Sequence, residues 1–218
     1  MNNINLHIEI LHYWHAGTGS GGGSHLDAIT EKDAYGLPFL AGKHIKGLLR
    51  HAVHRAQHWQ WFSVALPDGP AADLETLIFG SRSQQEKREK TLPGILCIGD
   101  AKLKQSESAF LKDNLKYTPF LYQEIYSTAI NAAGTAKEHS LRGLEVTLPV
   151  VLQADLSLEV TALDDAHRQQ QQQWLDNTSS FDWLEKVLPL IDSIGAHRTR
   201  GLGEAVFTLQ TQQKESVK

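Results

Sequence analysis

The chain has 218 residues, of which 41% are hydrophobic and 21% are charged, and its formal net charge at pH 7 is −4. This length is enough to bury a core in one elaborated domain, and the negative net charge argues against binding nucleic acid through bulk positive charge. Cys97 is the only cysteine, which excludes an intrachain disulfide and a cysteine-based zinc cluster and favours a reducing cytoplasm. We expect neither a signal peptide nor a membrane span, because no apolar run reaches about 18 residues.

The first predicted elements are a strand and a glycine-rich loop. Apolar and polar residues alternate over residues 4–10, which predicts a half-buried strand. Residues 12–24 contain five glycines and predict an irregular loop. Residues 17–22 match the letters of a dinucleotide-binding fingerprint, but no helix pattern begins there. We therefore reject a Rossmann site.

A helix is predicted to begin near Gly42 or Lys43, after the turn Gly36-Leu37-Pro38. Its predicted core face consists of Ile45, Leu48, Leu49, Ala52, Ala56 and Trp59. Its opposite face is predicted to carry a cationic stripe of Lys43, Lys46, Arg50 and His54. Residues 34–67 hold four cations and no acid, whereas residues 153–192 hold eight acids and two cations. This asymmetry suggests two different surfaces, one of which faces an anion.

The remaining elements complete an α+β pattern. Residues 81–92 are predicted to be a polar loop, residues 95–98 a buried strand, and residues 103–144 an extended insertion with little pattern. Every even position from Val146 to Val160 is apolar, which predicts one strand with an edge or bend at Pro149. The glutamine run 169–173 is predicted to be solvated.

A second helix is predicted from Phe181, Leu184, Leu188 and Ile191, and a last strand from Ala205, Phe207 and Leu209. The tail after Gln210 is polar, and we expect it to be loose. The order is strand, helix, strand, strand, helix, strand. It predicts a single ferredoxin-like domain over residues 1–218, the βαββαβ arrangement that RNA-recognition domains also use.

Two groups of residues carry side chains suited to acid–base catalysis or to phosphate binding. His12, His15 and His25 surround the glycine-rich loop, where imidazoles are reasonable acid–base groups but are poorly fixed as metal ligands. Residues 195–203 combine His197, Arg198 and Arg200 with three glycines, including Gly201 and Gly203. Glycines allow the backbone to approach a sugar–phosphate chain closely, and one arginine can bind two phosphate oxygens at once. With the helix stripe, this segment predicts a phosphate track.

Several segments together resemble the RAMP superfamily of CRISPR-associated proteins. Residues 36–50 resemble its hallmark segment, and Arg200-Gly201-Leu202-Gly203 resembles its glycine-rich loop. Phe79-Gly80 and Gly99-Asp100-Ala101 resemble paired motifs of the backbone subunits of type III effectors. Residues 128–145 resemble their thumb, with Thr128, Ile130 and Arg142 as its marked positions, and the resemblance implies an inserted thumb or lid region over about residues 103–144. The matches run in consistent order from about residue 15 to residue 207, nearly the whole chain.

The resemblance implies a subunit that repeats along a CRISPR guide RNA, pairs with a target RNA and assembles with further copies and other effector subunits. It implies guide-RNA contacts at Lys43, His44, Lys46, Arg50, His197, Arg198, Arg200, Gly201 and Gly203. It also implies target cleavage at Asp27, six residues before Asp33, with Asp27 also holding a divalent metal such as Mg²⁺ or Mn²⁺. Two alternatives stay open: a metal-independent RNA-processing endoribonuclease that uses the histidines, and an assembly subunit that does not cleave.

Overall fold

A computed structural model describes residues 3–23, 25–61, 65–82, 91–178 and 181–210. Its strands are β1 (Asn3–Ile10), β2 (Phe39–Leu40), β3 (Leu96–Ile98), β4 (Ala101–Leu103), β5 (Tyr122–Ser127), β6 (Arg142–Thr147), β7 (Val151–Leu158) and β8 (Ala205–Gln210). Its α-helices are α1 (Gly42–His58), α2 (Leu74–Phe79), α3 (Gln105–Asp113), α4 (Asp165–Asn177) and α5 (Asp182–Glu185). Short 3₁₀ helices cover Leu115–Leu121, Leu188–Leu190 and Arg198–Arg200. No helix in these ranges is long and apolar enough to cross a membrane.

An antiparallel sheet forms the centre of this α+β fold. The strands run in the order β2-β4-β7-β1-β8, and β3 also pairs with β7. Alternation buries one face of β1, where Leu6 lies opposite Ala154 of β7 and Ile8 lies opposite Leu152. The period of two therefore predicted β1 and β8 correctly. The other face of the sheet carries polar residues, including His7 and Gln153.

Helix α1 packs against the buried face of this sheet and begins where the sequence predicts. Ile45, Leu49, Ala52 and Ala56 are buried in the core, and Leu48 is partly buried. The prediction that Trp59 belongs to the core face is wrong, because this residue caps the helix end and its side chain is about half exposed. The helical spacing was right, but the helix ends one residue before Trp59, so the periodicity no longer directs this ring inward.

The predicted single strand from residue 146 to residue 160 is wrong. The backbone breaks at Pro149, which has no N–H to donate to a ladder, and the two halves join different sheets. Strand β6 pairs with β5 in a two-stranded sheet, and β7 pairs with β1 in the main sheet. Residues 103–144 are also more regular than predicted, since they contain α3, a 3₁₀ helix and β5.

Helix α4 contains the glutamine run, and the prediction that this run is solvated fails at two positions. Gln170 and Gln171 are fully buried and hydrogen bonded to backbone groups of Ala71, Thr161 and Ala162.

The predicted second amphipathic helix is instead α5 followed by a 3₁₀ turn, although its four apolar residues are buried as expected. Most of the polar loop 81–92 and the tail after Gln210 lie outside the described residues.

Candidate nucleic-acid interface

The start of α1 is held by a residue far along the chain. Ala41 gives no side-chain cap, and the N–H of Gly42 instead donates to Oδ1 of Asp100 at 2.8 Å. A Cβ at Gly42 would lie 2.6 Å from the carbonyl oxygen of Ile98, so only glycine fits this approach. Lys43 follows, is exposed, and has no acidic residue beside it in the first turn. The two motif segments thus position α1 and leave one cation at its positive end.

The C-terminal glycine loop packs against the same end of α1. The N–H of Gly195 donates to Nε2 of His44 at 3.3 Å across 151 positions of sequence. The N–H of Ala196 donates to the His15 carbonyl at 2.8 Å, and that of Gly203 donates to the Tyr13 carbonyl at 2.7 Å. Gly203 has a φ of 75°, and a Cβ there would overlap the carbonyl oxygen of Ile194. Gly203 is therefore a structural requirement of this loop.

These contacts create a basic junction, which we define as Lys43, His44, His197, Arg198 and Arg200. Burial lowers the pKa of His44, and the nearby charge of Arg198 lowers it further. Its ring is therefore neutral at pH 7, consistent with Nε2 accepting a hydrogen bond. Lys43, Arg198 and Arg200 are exposed and form no ion pair within the described part of the chain. The junction brings together residues that the sequence predicted from two separate motifs.

Lys46 and Arg50 do not face outward as the predicted stripe requires. Lys46 is half-buried and its Nζ donates to the Leu96 carbonyl at 3.1 Å, while burial lowers its pKa. Arg50 donates from Nε to Oε1 of Glu75 at 2.6 Å and from Nη2 to the Gly80 carbonyl. The helical period does place them on one side of α1. That side is covered by α2 and β3, which the spacing within the helix does not show.

Glu75 is the acid that holds this side together, and no sequence pattern singles it out. It is 7% exposed and accepts hydrogen bonds from Arg50, Arg82 and Nδ1 of His54. Burial alone would raise the pKa of its carboxyl, but these donors outweigh burial, so the pKa lies below its usual value. A buried acid among three donors is a structural clamp between α1 and α2.

Asp27 lies about half exposed in a loop that runs beside β6. Its Oδ1 accepts from Nη1 of Arg142 at 3.2 Å, and its Oδ2 accepts from the N–H of Gly143 at 2.8 Å. Asp33 has a different role, because its Oδ1 accepts from the N–H groups of Tyr35 and Leu37 and closes the turn before β2. Of the two aspartates at the predicted spacing, Asp27 alone presents an accessible carboxylate paired with a cation.

Two side chains that sequence reasoning missed, Glu124 and Tyr126, form a cluster with His25, two residues before Asp27. Tyr126 Oη donates to Oε2 of Glu124 at 2.6 Å, and Nε2 of His25 lies 3.2 Å from the same oxygen. The hydrogen bond from Tyr126 lowers the pKa of the Glu124 carboxyl. The available signal was the spacing Glu124-Ile125-Tyr126, which puts both polar side chains on one face of a strand.

The three loop histidines do not form one site. His12 pairs with Glu204, His25 pairs with Glu124, and Nδ1 of the buried His15 lies 2.7 Å from the Glu145 carbonyl. Burial lowers the pKa of His15, partly offset by that hydrogen bond. Among the described residues, no set of three or more His, Cys, Asp or Glu side chains is arranged to hold a metal ion.

Residues 128–141 form an exposed extension beyond β5 and β6. Thr128 hydrogen bonds Ser140 through its hydroxyl at 2.6 Å, and Ile130 pairs with Ala136 across the extension. The Ile130 side chain is 63% exposed, although it is apolar. Arg142 at the base of the extension is the partner of Asp27.

The fold resembles subunits of solved CRISPR effector structures. It aligns with a chain of a type III-B Cmr-beta complex bound to cognate target RNA at a TM-score of 0.64 and 9% identity, covering 96% of this chain and 97% of that chain. The apo state of Cmr-beta gives 0.61 and 9% identity, with 99% and 98% coverage. A type IV-B CRISPR complex gives 0.54 and 15% identity, with 100% and 92% coverage.

At such low sequence identities, these TM-scores show a shared fold alone. No curated protein sequence matches the chain significantly. The family model of the RAMP superfamily matches residues 7–206, which is most of the chain and includes the start of α1 and the glycine loop. The chain belongs to the RAMP superfamily.

Proposed function

We propose that the chain is a backbone subunit of a type III-like CRISPR ribonucleoprotein effector and binds guide RNA at the basic junction. The observation that carries this proposal is the contact between the glycine loop and the start of α1, which unites Arg198 and Arg200 with Lys43. Its likeness in fold to a subunit of a complex bound to target RNA supports the same reading. Exposed cations of this kind bind phosphates of any sequence, as a guide holder requires.

The architecture proposed with this function is a ferredoxin-like core with an inserted thumb. The sheet order β8-β1-β7-β3, with every neighbour antiparallel, supports the core. The exposed extension 128–141 supports the thumb, because apolar side chains such as Ile130 are suited to contact another molecule. Lys46 and Arg50 are not direct RNA ligands in this proposal, since their polar groups already have partners within the fold.

The proposal is tested by measuring guide-RNA affinity at several salt concentrations. Replacing Arg198 and Arg200 with glutamine should weaken binding at low salt at least tenfold and reduce the slope of log K against log[salt] by about 0.7 to 0.9 for each lost phosphate contact. Lys104→Gln, at an exposed lysine outside the junction and the extension, is the matched control and should have a smaller effect. Unchanged affinity and slope in the Arg198→Gln/Arg200→Gln protein would rule out the junction as the guide site.

We also propose that this subunit cleaves paired target RNA with a divalent metal at Asp27. The protein offers one accessible carboxylate there, and Mg²⁺ is commonly held by one or two carboxylates with water and substrate phosphates as its other ligands. A bound cation would supply positive charge to the phosphate as a 2′-hydroxyl attacks. Arg142 and the Gly143 N–H orient Asp27, and both contacts engage oxygens that a metal would use.

The second candidate is a subunit that binds RNA without cleaving it, and the pairing of Asp27 with Arg142 favours it. Purified effector incubated with target RNA separates the two. Cleavage by this subunit should occur at regular spacing, stop in EDTA and disappear in Asp27→Ala while guide binding persists. Cleavage that survives EDTA and cuts one site in repeat RNA would instead support a processing enzyme. The separation of His12, His15 and His25 argues against that reading.

Repetition along a guide requires a contact between copies, and we propose that the acidic segment 153–192 supplies one side of it. Asp182 and Glu185 are exposed there, whereas Asp164 caps α4 and Asp165 pairs with Arg168. Reversing Asp182 and Glu185 to lysine therefore tests assembly without removing a helix cap. Unchanged sedimentation and unchanged salt dependence of assembly on guide RNA would refute this contact.

A further inference from the structure

The C-terminal end of α1 presents two adjacent tryptophans that the proposed guide site does not use. Trp59 and Trp61 are 48% and 50% exposed, and their ring centroids lie 5.6 Å apart at an interplanar angle of 43°. The guanidinium of Arg55 lies 4.9 Å from the centroid of the Trp59 ring. Large aromatic rings exposed side by side are enriched where proteins bind other molecules.

The backbone holds these rings in place. The N–H of Trp61 donates to the Ala56 carbonyl and that of Gln60 donates to the Gln57 carbonyl, each at 3.0 Å. Gln60 has a φ of 57°, so the helix ends in a Schellman motif with a residue other than glycine in the left-handed region. That conformation is unfavourable for glutamine and persists only where its surroundings fix it. The rings form a platform on a fixed helix cap.

The charge around the platform favours a polyanion over a protein partner. Residues 34–67 contain no acid, and the exposed surface of α1 near its end carries His51, His54 and His58. Of the acids near this end of α1, Glu75 is already neutralised by Arg50 and Arg82. Asp73 lines the same cavity as His54 and His58, and its Oδ1 accepts from the N–H of Thr76 as the cap of α2. Tryptophan faces beside arginine and histidine are a composition that stacks nucleic-acid bases.

We propose that Trp59 and Trp61 form a second RNA contact that stacks bases of a single-stranded segment. Arg55 donates to the Leu190 carbonyl and is held over the Trp59 ring, so its role is to position that ring. This inference rests on the proposed function, because it assumes an RNA-binding subunit. Helix α1 has 17 residues and a length of about 25 Å, so the platform lies about that far from Lys43 along the helix. A strand with the duplex spacing of about 3.4 Å per nucleotide needs about seven nucleotides to span both.

The chain contains its own reporter for this contact. Of its five tryptophans, Trp14, Trp174 and Trp183 are at most 5% exposed, so only the platform responds strongly to solvent quenchers. Adding an oligoadenylate of twelve nucleotides should quench tryptophan emission and should reduce further quenching of that emission by acrylamide. RNA carrying 5-iodouridine should cross-link to the peptide that contains Trp59 and Trp61. A double-stranded RNA of equal length should do neither, because its bases are already stacked.

Variants complete the test. Trp59→Ala and Trp61→Ala should each weaken binding of the oligoadenylate about tenfold, a change within the range measured for single stacking contacts. Phe120→Ala, which removes a 71% exposed ring elsewhere, should leave binding unchanged. If the tryptophan variants bind RNA normally, the inference fails, and altered assembly in them would assign the platform to a protein partner. Arg198→Gln/Arg200→Gln tests the guide site separately, so the two failures are distinguishable.

Discussion

Arg50 and Lys43 lie on the same helix, and the structure predicts opposite consequences for their removal. Arg50→Met keeps the aliphatic stem and removes the hydrogen bonds to Glu75 and Gly80. Glu75 then stays buried with fewer donors, which should lower the free energy of unfolding by about 3 kcal/mol. For a chain of this size that corresponds to a fall in Tm of about 6–12 °C. Guide-RNA affinity of the folded protein should change little.

Lys43→Met is the matched control, because Lys43 is exposed and no ion pair to it is found among the described residues. It should change the free energy of unfolding by less than about 0.5 kcal/mol and should weaken the binding of guide RNA in a salt-dependent manner. Denaturant unfolding and RNA titration of both proteins provide the comparison. An Arg50→Met protein with unchanged stability and impaired RNA binding would show that Arg50 is a phosphate ligand, as the sequence alone suggests.

The acid Glu75 adds a pH signature to the same comparison. Its pKa in the folded protein lies below the ordinary value of 4.5 because its donors outweigh burial. The stabilisation from this clamp is therefore complete above about pH 4.5 and is lost as the pH falls through the folded pKa. The stability difference between the wild-type protein and Arg50→Met should narrow over that acidic range. A difference that widens on acidification would contradict the assigned clamp.

Three further predictions concern buried or strained groups. Gln171→Leu leaves the N–H groups of Thr161 and Ala162 without an acceptor, while the Pro93 carbonyl keeps its contact with Nε2 of His167. It should cost about 3 kcal/mol in urea unfolding, whereas the exposed Gln173→Leu should cost less than about 0.5 kcal/mol. Gly203→Ala should prevent stable folding, whereas Gly201→Ala, with open space around its Cβ, should cost only about 1 kcal/mol of strain by thermal unfolding. Because burial lowers the pKa of His15 from 6.5, stability should fall as the pH drops below about 6.5, and His15→Asn should flatten that dependence in thermal scans at pH 5 to 7.

The elements that were predictable from sequence are those whose burial is set by near neighbours in the chain. Strand β1 and helix α1 each repeat an apolar pattern with the period of their own geometry, so the pattern identifies the element. The same reasoning failed across Pro149, where an unbroken period of two continues through a change of sheet. Alternation reports which side chains are buried, and it does not report which strand they pack beside.

The glutamine run shows a second limit of sequence reasoning. Composition predicts that five glutamines are solvated, and the exposed Gln172 and Gln173 fit that expectation. Gln170 and Gln171 are buried because loops distant in sequence bring unpaired backbone groups to them, and an amide both donates and accepts. One such loop donates through the N–H of Ala71, 99 residues before its acceptor Gln170. No local pattern carries that information.

The same separation in sequence decides where positive charge is available. Residues 34–67 hold four cations, but Lys46 and Arg50 donate to groups within the fold, and Arg55 lies over Trp59 while donating to Leu190. Of the four, Lys43 alone is exposed at the start of α1. The positive surface there is completed by Arg198 and Arg200, which the Gly195–His44 contact brings from the other end of the chain. A guide RNA bound at this junction therefore depends on the folded contact between two distant segments, and substitutions that open the contact should weaken RNA binding without removing a cation.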